Sequence, residues 1–147
     1  MKLAIVAMGK MRDANLRALT DEYLGRLQHY LPFEEVELRE GRTLQDEATA
    51  MVGATPAGAI TVALNEDGKS LTSEQFARWI EEWMIGGTRH VSFFIGSASG
   101  LDADFKRGCQ RRLSLSPMTF PHEMARMMLA EQLYRAMSII RGEPYHK

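Results

Sequence analysis

A single cysteine, Cys109, stands in the chain of 147 residues, so no disulfide can close within it, which suits a reducing cytoplasm. It sits in the polar stretch KRGCQRR, the setting of an incidental thiol rather than a built nucleophile. No stretch approaches the roughly 20 apolar residues of a membrane span. The short apolar run in MKLAIVAMGK has neither the length nor the small-residue cleavage site of a signal peptide. These absences predict a cytoplasmic protein without membrane contacts. Charge of one sign is missing too: 18 Lys and Arg face 19 Asp and Glu, so the chain cannot coat nucleic acid by charge alone. The dinucleotide pattern G-x-G-x-x-G, the P-loop, the G-x-S-x-G elbow and a Ser-His-Asp order are all absent, which leaves hydrolase chemistry without an anchor. His122 and His146 have neither a cysteine nor a clustered third ligand beside them, so no metal is expected. With no internal repeat, low-complexity tract or linker, the expectation is one domain over residues 1–147.

What the chain does have is ordinary globular composition, 45% hydrophobic and 25% charged, which excludes a disordered chain. Buried strand-like runs alternate with helical periodicity. Strands are expected at Lys2–Met8, Phe33–Leu38, Ala57–Leu64, His90–Ile95 and Leu113–Leu115. Helices are expected at Asn15–Leu31, Leu44–Val52, from the Thr72/Gln75 capping box to Gly86, at Asp102–Arg111 and over residues 122–141. Asn65-Glu66-Asp67-Gly68 reads as a turn. This alternation predicts an α/β fold with a mostly parallel sheet flanked by helices. Ligands of such sheets bind beyond the carboxyl ends of the strands, here after Leu64, Ile95 and Leu115.

Three segments carry candidate chemistry, each with a plainer reading. Gly96-Ser-Ala-Ser-Gly100 lets a ligand approach the backbone, or is a strand-to-helix turn. Ser116-Pro117-Met118-Thr119-Phe120-Pro121 offers backbone groups for an adenine edge, with Leu115, Met118 and Phe120 to pack the ring, or is a well-made helix entry. Tyr145-His146-Lys147 ends the chain just past a helix, and a histidine's ordinary pKa range suits proton handling near neutral pH; a terminal histidine can equally be solvated. Glu131 and Arg135 either pair along the helix or present a guanidinium to a phosphate. The last helix is apolar nearly all round, which predicts a homodimer with this helix at its interface. Residues 1–100 hold ten Lys and Arg against 14 Asp and Glu, whereas residues 101–147 hold eight against five. Any RNA contact is therefore expected in the C-terminal third.

Together these segments resemble the bacterial large-subunit ribosomal RNA pseudouridine-N3 methyltransferases, small members of the knotted SPOUT class of S-adenosyl-L-methionine (AdoMet) enzymes. The resemblance runs through Met8-Gly9-Lys10, Glu22-Tyr23-Leu24, Ser73-Glu74-Gln75-Phe76-Ala77 and Phe94-Ile95-Gly96. It is most specific in Ser114-Leu115-Ser116, Met118-Thr119, Pro121-His122, Arg126, Glu131-Gln132-Leu133-Tyr134-Arg135-Ala136 and Pro144-Tyr145-His146-Lys147. It implies a single-domain trefoil-knotted SPOUT fold, a cofactor site at Leu64, Gly96, Leu115, Ser116, Pro117, Met118, Thr119 and Phe120, and an active site at a dimer interface. By the same resemblance His146, Tyr145 and Arg135 are the expected catalytic residues, and Arg126, His122 and Lys147 the expected contacts to ribosomal RNA in the large subunit or whole ribosome. Ser97 replaces the second glycine of the family's Ile-Gly-Gly-x-x-Gly turn, Ser99 stands where an acidic residue is common, and Asn65 replaces a common aspartate; these bear on fine hydrogen bonding. The alternative expectations are a non-catalytic, ribosome-associated RNA-binding dimer, or a small α/β nucleotide-binding enzyme, which the missing phosphate-loop motifs disfavour.

Overall fold

Apolar side chains alternate along β1 (Lys2–Met8): Leu3, Ile5 and Ala7 join one core cluster, Val6 and Met8 the other. That period of two buries both faces of the strand, as a central position in a parallel sheet requires. The computed structural model describes residues 1–146, with Lys147 and the His146 side chain outside the described residues. After β1 the chain runs α1 (Ala14–Leu27), β2 (Phe33–Leu38), α2 (Leu44–Gly53), β3 (Ile60–Ser70), α3 (Ser73–Ile85), β4 (His90–Ile95), α4 (Ala103–Gly108), β5 (Arg111–Ser114) and α5 (His122–Ile140), then a 3-10 turn at Pro144–His146. The five strands form one sheet in the order β2-β1-β4-β3-β5, and every pairing is parallel. All the strand ends that point toward a ligand therefore lie on one rim.

One face of the sheet carries α1, α3 and α5, packed on Leu3, Ile5, Val62, Val91 and Phe93. The other face packs Val6, Met8, Ala63 and Phe94 against Met51 of α2 and against Phe105 and Cys109 at α4. Burial raises the pKa of the Cys109 thiol, which keeps it protonated and unreactive. The capping box of α3 is present: Thr72 Oγ1 accepts from the Gln75 amide, and Gln75 Oε1 accepts from the Thr72 amide. Among the described residues, no helix is long and apolar enough to cross a membrane.

Three expectations are corrected. The turn at Asn65–Gly68 is instead a bulge inside β3, which continues to Ser70. Leu64 and Lys69 both register with Leu113, so the chain loops out and returns to the same partner on β5. Gly68 permits that return, because a Cβ there would lie 2.8 Å from the backbone carbons of Arg112 and Leu113. The first helix ends at Leu27, with Gln28–Tyr30 closing as a tight turn before Leu31 and Pro32. The fourth helix stops at Gly108, since Gln110 is drawn to β3 by a reciprocal pair of hydrogen bonds with Thr61, each 3.1 Å.

The apolar circumference of α5 also has an explanation inside the chain. It packs against both α1 and α3 as well as the sheet, burying Leu129, Ala130, Leu133, Ala136 and Met137. Met124, 40% exposed, stays uncovered, as does Met118 in the preceding loop at 74%.

Candidate active site

The bulge of β3, the exits of β4 and β5 and the first turn of α5 enclose a cleft of about 670 Å³. Its walls mix apolar side chains (Leu64, Ile95, Leu115, Phe120, Ala125) with backbone of the Gly96–Gly100 turn and the Ser116–Pro121 loop. Gly96 is required by the chain itself: a Cβ there would drive into the Gly100 carbonyl, which closes over it in the turn. Gly100 takes φ +85°, and its amide donates to Ser97 O at 2.8 Å. Ser97, the departure from the family's second glycine, donates its hydroxyl to Glu47 Oε1 at 3.0 Å. Glu47 is buried, and its other oxygen accepts from the Gly41 amide at 3.1 Å, so one carboxylate fastens two loops together. On the opposite wall Ser116 Oγ accepts from the Met118 amide at 3.0 Å, shaping the entry to α5.

Seven of the eight positions expected around a cofactor line this cleft: Leu64, Gly96, Leu115, Ser116, Met118, Thr119 and Phe120. Pro117 is not among the lining residues. His122, expected at the substrate, lines the same cleft where α5 begins. Sequence reasoning missed Glu66 and Ala125, which also line it. Glu66 was assigned to a turn, and its place on the wall follows from the bulge; Ala125 lies one turn into α5 from His122, a spacing that could have flagged it.

Arg135 and Tyr145 lie elsewhere on the chain. Glu131 Oε1 accepts from Arg135 Nε at 2.9 Å and from the Tyr145 hydroxyl at 3.1 Å. The Arg135 guanidinium stands 5.0 Å from the centre of the Tyr145 ring, and Tyr134 packs on the same ring at 4.6 Å. Burial, a hydrogen bond with Tyr23 and the nearby Glu131 charge push the Tyr145 phenol well above its ordinary pKa. At neutral pH Tyr145 is thus a donor and not a proton acceptor. The ten residues from Ala125 to Arg135 correspond to about 15 Å of helix, so one chain brings Arg135 and Tyr145 together but keeps them away from its own cleft. The His146 side chain and Lys147, both expected at the site, lie outside the described residues.

Arg126 requires a correction. It was expected to reach RNA, but it is only 2% exposed and is among the largest fully buried side chains. Its guanidinium bonds Glu35 at 2.9 Å, Glu37, and the Gly9 carbonyl at 3.3 Å. Arg17 reaches the same two carboxylates from α1. Burial alone would raise the Glu37 pKa, but the Met11 amide, Arg126 and Arg17 together hold it below the usual carboxylate range. Beside this lock, Glu123 Oε1 accepts the amides of Arg12 and Asp13, each at 3.0 Å. The start of α5 is thereby clamped to the β1–α1 loop and to edge strand β2.

Comparison with known proteins agrees with this architecture. Residues 1–146 match the family model described as a predicted SPOUT methyltransferase. A "Ribosomal RNA large subunit methyltransferase H" of Sorangium cellulosum is 44% identical over 145 residues, covering 99% of both chains. One of the same name from Gemmatimonas aurantiaca is 45% identical over 155 residues and covers 100% of both. Among solved structures, a probable methylase family protein from Haemophilus influenzae aligns with TM-score 0.59 at 10% identity, over 99% of this chain and 70% of that one. A probable methyltransferase from Bordetella pertussis aligns with TM-score 0.56 at 11% identity, over 92% and 95%. At such identities the structural matches speak for the fold alone.

Proposed function

The chain belongs to the SPOUT methyltransferase family, and from that premise we propose that it methylates large-subunit ribosomal RNA with AdoMet as donor, at N3 of a pseudouridine. The observation that carries this reading is the cleft, which gathers seven of the eight residues expected at the donor, at the bulge of β3 and the exits of its two neighbours β4 and β5. Its volume of about 670 Å³ suits a nucleoside-sized ligand, and its apolar walls and unshielded loop backbone suit an adenine face and edge. The relatives' names, which specify methyltransferases, weigh against a non-catalytic RNA-binding dimer. The family's knotted chain path belongs to the same reading.

In this proposal Leu64, Leu115 and Phe120 pack the adenine, while backbone groups of Ser116–Phe120 fix its edge. Gly96 keeps the turn beside them tight. When bound, AdoMet supplies the methyl group: a nitrogen–carbon bond forms as the carbon–sulfur bond breaks, and a neutral thioether leaves. The chain's own work is to orient the RNA base and take charge of its N3 proton. Orientation of this kind contributes about 7–11 kcal/mol, and a positioned base about 10²–10⁴-fold in rate. His146 is the candidate base or base-positioning group. Tyr145 and Arg135, held by Glu131, anchor the tail that carries it. Because this tail lies along α5 away from its own cleft, the reading requires a second copy whose tail completes the site. Met118 and Met124 offer that copy uncovered apolar surface beside the cleft. His122 stays the substrate contact within the cleft, and Lys147 a contact from the tail.

The test is transfer of labelled methyl from AdoMet to ribosomes lacking the modification, followed by mass mapping of the RNA. One methyl on N3 of a large-subunit pseudouridine is expected; no transfer to ribosomes or to free large-subunit RNA refutes the reading. His146→Ala is expected to cut turnover while leaving AdoMet affinity, measured by calorimetry, near that of the parent.

A further inference from the structure

Several basic residues of the C-terminal third are engaged within the chain, whereas Lys106, Arg112 and Arg141 form no ion pair among the described residues and do not line the cleft. Arg126, Arg135 and Arg107 are paired to carboxylates, and Arg111 lies 5.5 Å from the centre of the Trp79 ring. Four other cations are placed differently. Lys10 and Arg12 follow β1, Arg39 and Arg42 follow β2, and all four are exposed. Among the described residues none of them forms an ion pair. Because Met8 registers with Leu38 in a parallel pair, both loops leave the same rim of the sheet as the cleft.

Two carboxylates fix these loops to the cleft walls. Glu123 holds the Arg12 amide at 3.0 Å and follows His122, which lines the cleft. Glu47 holds the Gly41 amide at 3.1 Å and the cleft residue Ser97 at 3.0 Å, so Arg42 is tethered one residue from that junction. The anchors are backbone amides, which leaves the Arg12 and Arg42 guanidinium groups available at fixed points on the rim. Of the acidic neighbours, Asp13 caps α1 by accepting two amides, and Glu47 is buried; Glu40 and Asp46 remain exposed. On the opposite flank, the bulge of β3 presents Glu66 and Asp67. The loops after β1 and β2 thus gather four exposed cations on the rim, beside the exposed Glu40 and Asp46, whereas the bulge of β3 presents two carboxylates.

We propose that Lys10, Arg12, Arg39 and Arg42 form the phosphate-contacting surface of the substrate RNA, and that the strand flanking the target nucleotide crosses the rim from the β2 side to the cleft. This rests on the reading that the substrate is ribosomal RNA, and it moves the principal RNA contacts away from the C-terminal third, where total charge had placed them. Polyanion binding by such a surface releases counterions, so each lost contact lowers the salt dependence of binding.

The experiment compares the full-length parent with Arg12→Glu/Arg42→Glu, and with Arg107→Glu on α4 as a control. Equilibrium binding to unmodified ribosomes is measured across a KCl series, methyl transfer is measured on the same ribosomes, and AdoMet affinity by calorimetry. The double variant is expected to bind ribosomes at least about tenfold more weakly, with a log–log salt slope smaller by about 1.4 for two single-strand phosphate contacts. Its AdoMet affinity is expected to be unchanged, and Arg107→Glu is expected to match the parent. A double variant with parental binding, slope and turnover on ribosomes that the parent methylates overturns this inference alone. A parent that neither binds nor methylates ribosomes overturns the functional reading and the inference with it.

Discussion

Replacing Arg126 with alanine separates a structural lock from an RNA contact. The side chain is 2% exposed and bridges α5 to Glu35 and Glu37 on β2 and to the Gly9 carbonyl. Removing one partner from a buried ion pair costs about 3–5 kcal/mol, chiefly because the other charge is left uncompensated. Here Arg17 still reaches Glu35 at 2.7 Å and Glu37 at 3.4 Å, and both carboxylates keep partial access to water, with side-chain exposures of 17% and 29%. The expected loss is therefore smaller, about 2–4 kcal/mol. That is a large share of the roughly 5–15 kcal/mol that holds a typical domain together. Urea unfolding is the assay: the midpoint should fall while the slope stays constant. Adding Glu35→Gln and Glu37→Gln should recover part of the loss, because the orphaned charges are gone. A loss below about 0.5 kcal/mol, paired with salt-sensitive weakening of ribosome binding, would be the signature of a surface arginine and would refute the lock.

Two further outcomes follow from the same geometry. Gly96→Ala places a Cβ against the Gly100 carbonyl. Overpacking of that kind costs about 1–3 kcal/mol, so AdoMet affinity by calorimetry should drop roughly tenfold; an unchanged affinity removes this turn from the site. For acid stability, the Glu37 carboxyl is held below its ordinary pKa in the folded chain. Its contribution is complete above the unfolded value of about 4.3 and is lost as pH falls through the lower folded value. Thermal unfolding between pH 7 and pH 3 should show this acid-side loss, and Glu37→Gln should show a shallower one. Equal slopes for the two proteins would contradict the assignment.

Three strands, Lys2–Met8, Phe33–Leu38 and His90–Ile95, were legible in the sequence to their exact limits. Lys2–Met8 and His90–Ile95 are apolar runs whose ends coincide with polar or glycine residues. The cleft was legible from the sheet: in a parallel sheet the loops after neighbouring strands converge, Gly96 and Leu115 directly follow β4 and β5, and Leu64 stands where β3 bulges beside them. What local patterns could not reveal depends on residues far apart in the chain. Asn65–Gly68 has every attribute of a turn, yet β5 pairs on both sides of it and converts it to a bulge. Arg126 stands four residues beyond His122 on a helix beside the cleft, which invites an RNA role. Its burial depends on Glu35 and Glu37, about ninety positions earlier. The exposed cations of the rim were hidden by the same effect, since total charge does not say which arginines the fold has already paired.

The proposed site is composite, with the cleft of one copy completed by the tail of the other, and mixed dimers test this most directly. Gly96→Ala damages the cleft and His146→Ala the tail; each is prepared separately and shown to be a folded dimer. After subunit exchange, half of the molecules are heterodimers, and each should carry one site built from an intact cleft and an intact tail. Methyl transfer to ribosomes, assayed with AdoMet below its parental dissociation constant, should then rise to about a quarter of the parental rate. A mixture no more active than its two components would mean that each chain uses its own tail, or none.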